Sequence, residues 1–190
     1  FEDQNWPSSG WKEKLAPFYK KAKEMLGAVP AEYEGETDKI LKDCADYMGR
    51  GSSYKKVDVG VYFGKPGETE DDPFFEGKGP ARSGCTLCGG CMVGCRYNAK
   101  NTLDKNYLYL AEKLGVEILP EQEVQDIRPL EDGGYQLTIR KSIGLRRPIQ
   151  KLQAEKVILS GGVMGTVKLL MQCRKKGSLV NISPKLGDFV

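Results

Sequence analysis

Four of the six cysteines in this 190-residue chain fall within eleven residues. They stand in the run Gly84-Cys85-Thr86-Leu87-Cys88-Gly89-Gly90-Cys91-Met92-Val93-Gly94-Cys95, a C-x2-C-x2-C-x3-C spacing. Thiolates at such intervals can turn inward from one loop onto a shared ligand, and Gly89, Gly90 and Gly94 relax the backbone that must wrap it. Three chemistries suit the set: a [4Fe–4S] cluster, a tetrahedral zinc ion held by four thiolates, or metal-free thiols in a loop. A secreted disulfide scaffold spreads its cysteines more evenly, so the clustering favours reduced thiols and a cytoplasmic setting.

The spacing is similar to that of bacterial ferredoxins, where three cysteines bind one cluster and the fourth serves another. Arg96 stands where proline normally follows the fourth cysteine, and no second four-cysteine run exists. Only Cys44 and Cys173 remain to supply a further ligand. The expectation is four thiols on one compact loop, near enough to share a ligand. On this reading the chain is an electron-transfer module rather than an enzyme.

A second constellation lies later. Gly161-Gly162, with Gly165 beyond, follows the apolar run Val157-Ile158-Leu159. Paired glycines at a strand-to-helix turn let a ligand approach the backbone, and the helix start offers free N–H groups. A tight structural turn has the same composition. The G-x-G-x-x-G fingerprint of dinucleotide sites is absent from the chain.

Two counts exclude whole classes. The chain contains no histidine, so it cannot by itself build a Ser-His-Asp hydrolase, a His-ligated metal centre or a His general base. Its 29 basic residues against 26 acidic ones leave a net charge of +3, too small and too scattered to argue for nucleic acid. No run of 18 apolar residues is present, so no transmembrane segment is expected. The opening residues show no basic, apolar, small-residue leader pattern, so no secretory signal is expected. Its first residue is Phe1 and its last six, Lys185 to Val190, read like the start of a strand, so a piece of a longer protein is expected, with N- and C-terminal parts missing.

The elements that must carry these groups follow from periodicity. Leu15, Phe18, Tyr19, Ala22, Met25 and Leu26 predict a helix over Trp11–Leu26, with Pro17 in its first turn and Gly27 as its stop. Thr37 is the expected cap of a second helix bearing Ile40, Leu41, Cys44 and Tyr47. Val57, Val59 and Val61 alternate as in a strand. Residues 65–80, rich in Pro and Gly, read as a long loop or a boundary between lobes. Thr102 is the expected cap of a helix through Leu103, Tyr107, Leu110, Ala111 and Leu114, ended by Gly115. Short strands are expected at Val116–Leu119, Val124–Pro129, Tyr135–Ile139 and Ile149–Ala154, with a hairpin turn at Asp132-Gly133-Gly134. Val157–Leu159 reads as a buried parallel strand feeding a helix through Val167, Leu170 and Met171. The expected class is α/β, a parallel sheet with a small antiparallel meander.

Several stretches resemble one family. Asn98-Ala99-Lys100-Asn101-Thr102-Leu103-Asp104-Lys105-Asn106-Tyr107-Leu108 is similar to the segment before the adenine-contacting strand of the glucose–methanol–choline (GMC) flavin oxidoreductases, above all their cholesterol-oxidase-like branch. Glu123-Val124 and the stretch Asp132 to Thr138 continue the likeness, and Val157 to Leu170 resembles the family's closing Rossmann strand and helix. Upstream, Trp11–Gly27 resembles its helix before a small cap region, and Asp72-Pro73-Phe74-Phe75 with Gly79-Pro80-Ala81-Arg82 leads into the cysteines as in many bacterial members.

The resemblance implies an FAD-dependent oxidation of a small-molecule alcohol, with a sterol one candidate among bulky alcohols and sugars, by hydride transfer to flavin in the whole protein. It implies that residues 1–80 are part of a substrate (cap) lobe, helical and loop-rich. It implies that residues 81–190 are a partial Rossmann-like FAD-binding domain with an antiparallel meander. Val124 would meet the adenine through its backbone, and Gly161 with Gly162 would pass close to the cofactor. The family's N-terminal glycine fingerprint and its catalytic histidine have no counterpart in this chain, so the chain alone is expected to be inactive.

Overall fold

A computed structural model describes residues 9–188. The chain divides into two compact units, Phe1–Glu117 and Ile118–Val190.

The first unit begins with α1 (Trp11–Met25), built on the predicted apolar spacing. Pro17 is not in its first turn, as expected, but at its seventh position. Proline has no N–H to donate, so the Glu13 carbonyl one turn earlier lacks its intrahelical partner. Gly27 ends the helix in a left-handed conformation, φ 55°. A Cβ there would meet Asn101 Nδ2 and stand 2.8 Å from the Phe74 ring, so only glycine fits the stop. The chain continues through β1 (Ala28–Pro30) and α2 (Glu36–Tyr47) to β2 (Asp58–Gly60), which pairs antiparallel with β1. Thr37 does not cap α2: the helix starts before it, and Asp38 reaches back to accept the Gly35 N–H at 2.8 Å. An Asp in the first turn satisfies an end donor more directly than a Thr already inside the helix.

Residues 65–80 are largely loop, and one carboxylate organises their second half. Asp72 accepts the N–H groups of Phe74 (3.1 Å), Phe75 (3.0 Å) and Gly79 (2.8 Å). Burial pushes the Asp72 carboxyl up, but the amides of Gly79, Phe74, Phe75 and Gly77 outweigh it and hold it below the ordinary carboxylate range. Two short strands, β3 (Thr69–Glu70) and β4 (Arg82–Ser83), pair antiparallel on either side of residue 80. A seven-residue helix, α3 (Tyr107–Lys113), follows a 3-10 turn at Leu103–Lys105. Its cap is Asn106, whose Oδ1 accepts the Tyr107 N–H. Thr102, the expected cap, gives its hydroxyl to the Asp104 carboxylate instead.

The second unit is a meander of β5 (Gln122–Pro129), β6 (Tyr135–Lys141) and β7 (Ile149–Ala154) in the order β5-β6-β7, with α4 (Gly162–Lys176) against β5. The Asp132-Gly133-Gly134 hairpin is as predicted. Gly133 and Gly134 both have positive φ, and a Cβ on Gly134 would sit 2.8 Å from the Ala154 carbonyl. Ile127 of β5, opposite Leu137, and Ile139 of β6, opposite Val124, are each 3% exposed, and Cys173 of α4 is fully buried. Ser178, just past α4, donates to Asp126, and Lys176 Nζ donates to the Gln125 carbonyl at 2.7 Å.

Three expectations fail here. Val157–Leu159 forms no strand among the described residues, and Ile158 is 89% exposed. Val116–Leu119 is likewise coil, and Lys185–Asp188 is turn, while Phe189 and Val190 lie outside the described residues. A central parallel strand needs a hydrogen-bonded neighbour on each side. The described residues form three sheets, all antiparallel, so the apolar run has nothing to pair with. The α/β mixture of helices and strands is present; the expected parallel, Rossmann-like sheet is not formed among these residues.

Candidate functional site

The cysteine loop is closed at its base by Tyr62. The Tyr62 N–H donates to the Ala99 carbonyl (2.8 Å), and its carbonyl accepts the Cys85 N–H (2.9 Å). Val61 bridges to Lys100 alongside, and the Asn101 N–H reaches Gly60 O at 2.8 Å. Both ends of a thirteen-odd-residue loop therefore meet at the end of β2, where the alternating valines also lie.

Beneath those ends is Arg82, 1% exposed. Its guanidinium donates to Asn98 O (3.0 Å), to Lys100 O (2.9 Å) and to Asn101 Oδ1, and it lies 5.7 Å from the centre of the Phe74 ring. The turn at 97–100 has the opposite polarity on its other side. There the Ala99 N–H donates to Cys95 Sγ at 3.4 Å. Burial pushes the Cys95 thiol up, yet the Lys100, Ala99 and Tyr97 amides and the Arg82 charge together hold it below its ordinary value. Burial pulls Arg82 down, opposed by the negative charges of Cys95 and Asp104. One turn thus gives carbonyls to a cation and amides to a sulfur.

All four loop cysteines line one cavity of about 570 Å³. Val57, Val59 and Val61 line it too, because alternate residues of an extended segment share a face. Leu41 of α2 and Phe63 extend the apolar wall. At the polar part of the wall the Tyr54 hydroxyl donates to Glu34 (3.1 Å), and burial followed by the Glu34 and Asp38 charges raises the Tyr54 phenol. Cys85 and Cys95 are half-buried; Cys88 and Cys91 are exposed; all are free thiols. Cys85 Sγ accepts the Leu87 N–H at 3.4 Å, and Lys100 Nζ donates to the Cys91 carbonyl at 2.9 Å.

The four thiols are on one loop, as expected, and they line one cavity. Among the described residues, however, no three Cys, His, Asp or Glu side chains gather closely enough to hold a metal ion. Cys44 is exposed on α2 and does not line that cavity, and Cys173 is buried within the second unit.

The second constellation lies in the second unit. Val124 is in β5, opposite Ile139 and beside a bulge that shifts the register before Asp126. Among the described residues β5 pairs with β6 only, and the Gln125 carbonyl next to Val124 is taken by Lys176. Gly161 and Gly162 are exposed at the start of α4, Gly162 at φ 69° with nothing within 4 Å of where a Cβ would stand. An edge strand and an unobstructed glycine turn fit a flat cofactor that meets backbone rather than side chains. The ties between α4 and the Val124 bulge are at the other end of that helix, at Lys176 and Ser178. The groove along α4, lined by Met164, Val167, Lys168 and Met171 among others, includes neither Val124 nor the two glycines.

Arg82 and Tyr62 organise the thiol loop, and no periodicity or motif marks either as doing so. Their signal is non-local: one needs the fold to see the loop ends converge.

No family model matches the chain. A cholesterol oxidase of Mycobacterium tuberculosis (strain CDC 1551 / Oshkosh) is 42% identical to it over 194 residues, covering 98% of this chain and 34% of the relative. The cholesterol oxidase of strain ATCC 25618 / H37Rv gives the same figures. A cholesterol oxidase of Acinetobacter baumannii is 39% identical over 201 residues, covering 100% of this chain and 36% of the relative. The chain spans about a third of the length of the curated relatives it matches. These likenesses run through both units, and they agree with the stretches that resemble the GMC family: the chain belongs with the cholesterol-oxidase-like branch of the glucose–methanol–choline oxidoreductases.

Proposed function

We propose that the chain is part of an FAD-dependent oxidoreductase that converts a bulky secondary alcohol, a sterol being the leading candidate, to its carbonyl. The observation that carries this reading is identity of 39–42% along essentially the whole chain to proteins named cholesterol oxidase. In that protein residues 1–80 belong to the substrate lobe and residues 81–190 to the FAD-binding half. Bound FAD accepts the hydride that leaves the alcohol carbon. This chain's own contribution is binding. Val124 presents edge-strand backbone to the adenine, and Gly161 with Gly162 keeps side chains away from the cofactor while the α4 amides offer hydrogen bonds. With no histidine here, the group that takes the hydroxyl proton belongs to another part of the protein, and the chain by itself turns over no alcohol. The thiol-rich loop fits a reducing, cytoplasmic location.

The test is anaerobic titration of the intact, flavin-loaded protein with cholesterol and with a short aliphatic alcohol. Bleaching of the oxidised flavin band by the sterol, with one carbonyl formed per flavin, is the expected result. A protein that binds no flavin, or a flavin that neither alcohol reduces, overturns the reading.

A further inference from the structure

We propose that Cys88 and Cys91 form a reversible disulfide on the wall of the first unit's cavity, with a small-molecule disulfide as the oxidant. The inference does not depend on the flavin reading.

The structure separates the four thiols into two pairs. The outer sulfurs are held by backbone amides: Cys85 by Leu87, Cys95 by Ala99. The inner sulfurs have no hydrogen bond among the described residues, and both cysteines are exposed. The inner pair is also the one joined by the freest backbone. Only Gly89 and Gly90 stand between them, and Gly89 reverses the chain at φ 71°. The Cys88 sulfur lies 3.6 Å from where a Cβ on Gly90 would be, so it stands over the residue next to Cys91 with no side chain in between. A disulfide needs its Cα atoms within roughly 7 Å and freedom to reach a right-angled dihedral, and two glycines supply that freedom. Both cysteines border the same cavity, which gives a small reagent a way in. Lys100, whose ammonium donates to the Cys91 carbonyl at 2.9 Å, fixes the backbone at the second cysteine of the pair.

The chemistry balances. One thiolate of the pair attacks a sulfur of the external disulfide, forming a mixed disulfide and expelling one small thiolate. The second cysteine attacks the cysteine sulfur of that mixed disulfide, closing Cys88–Cys91 and expelling the second small thiol. Two electrons pass to the external disulfide, and the two cysteine protons end on the two released thiols.

The test equilibrates the intact protein in glutathione buffers, from fully reduced to fully oxidised, then quenches in acid and alkylates the free thiols. Trypsin cutting after Arg82 and Arg96 leaves all four cysteines on one peptide, Ser83–Arg96, for mass mapping. The expected result is four labels in reduced buffer. In oxidised buffer, labels remain on Cys85 and Cys95 only, with a bond between Cys88 and Cys91. C85S and C95S should keep that bond; C88S and C91S should lose it. Four labels in every buffer, a bond to Cys85 or Cys95, or a mixed disulfide that never closes each overturn the proposal. So does joint protection of all four thiols that a chelator releases, since that is a metal site instead. The mapping of the unsubstituted protein decides the matter even where a variant folds poorly. Flavin content and alcohol turnover are separate readouts, so either reading can fail without the other.

Discussion

Replacing Arg82 by methionine removes a buried cation from three acceptors at once: Asn98 O, Lys100 O and Asn101 Oδ1. Methionine fills much of the same space against Phe74, so the loss is chiefly electrostatic. Each buried acceptor left without a donor costs about 1–3 kcal/mol, and removal of the desolvated charge returns part of that sum. A net loss of about 3 kcal/mol for the loop base is expected. At 1.4 kcal/mol per tenfold, that is on the order of a hundredfold in local opening. The amides to watch are those of Tyr62 and Asn101, which hydrogen-bond across the ends of the loop. Native-state hydrogen exchange in the intact protein should show both exchanging about a hundredfold faster in R82M. In R82K, which keeps the charge but not the planar fork, the change should be about tenfold. Cys95 gives a second readout: without the positive charge its thiol moves up toward the ordinary value, so its alkylation should need a higher pH. Acceleration of less than about threefold at both amides in R82M would refute the view that this guanidinium holds the loop closed.

Other outcomes follow from single contacts. Asp72→Asn should destabilise the first unit by about 1–2 kcal/mol in denaturant titration, because three amides lose a charged acceptor. The folded Asp72 carboxyl sits below its ordinary value of 3.8, so its contribution is full above that pH and fades as the pH falls through the lower folded value; D72N should show a flatter acid limb. Gly27→Ala should cost about 1–3 kcal/mol in the same titration, since a left-handed φ and a filled site oppose the new methyl group. Ile139→Ala should cost about 2–4 kcal/mol in thermal unfolding of the second unit, whose buried apolar side chains are few.

Much of the secondary structure is legible along the chain because its causes are local. The apolar spacing of Leu15, Phe18 and Ala22 is a helix whatever surrounds it, and Asp132-Gly133-Gly134 is a hairpin turn because positive φ is cheap only there. Residues whose role depends on distant partners are not legible. Val157–Leu159 has the composition of a buried strand, but composition does not supply neighbouring strands. Arg82 looks like any surface arginine until Asn98, Lys100 and Asn101 close over it. The cysteine spacing announces a shared loop; which sulfurs are tied and which are loose depends on the amides of Leu87 and Ala99. The expected places of Val124, Gly161 and Gly162 rest on family likeness rather than on any local rule.

Because a single residue, Tyr62, receives both ends of the cysteine loop, that loop is a cassette. What joins it to the rest of the unit is the same however long the segment between Cys85 and Ala99 becomes. Doubling the length of a closed loop adds only about 0.6 kcal/mol of entropic cost. Insertions, deletions and changes of side chain between Thr86 and Tyr97 would leave the valine wall and the Arg82 contacts to Asn98, Lys100 and Asn101 in register. The loop's chemistry is therefore free to be exchanged for another without renegotiating the frame that carries it.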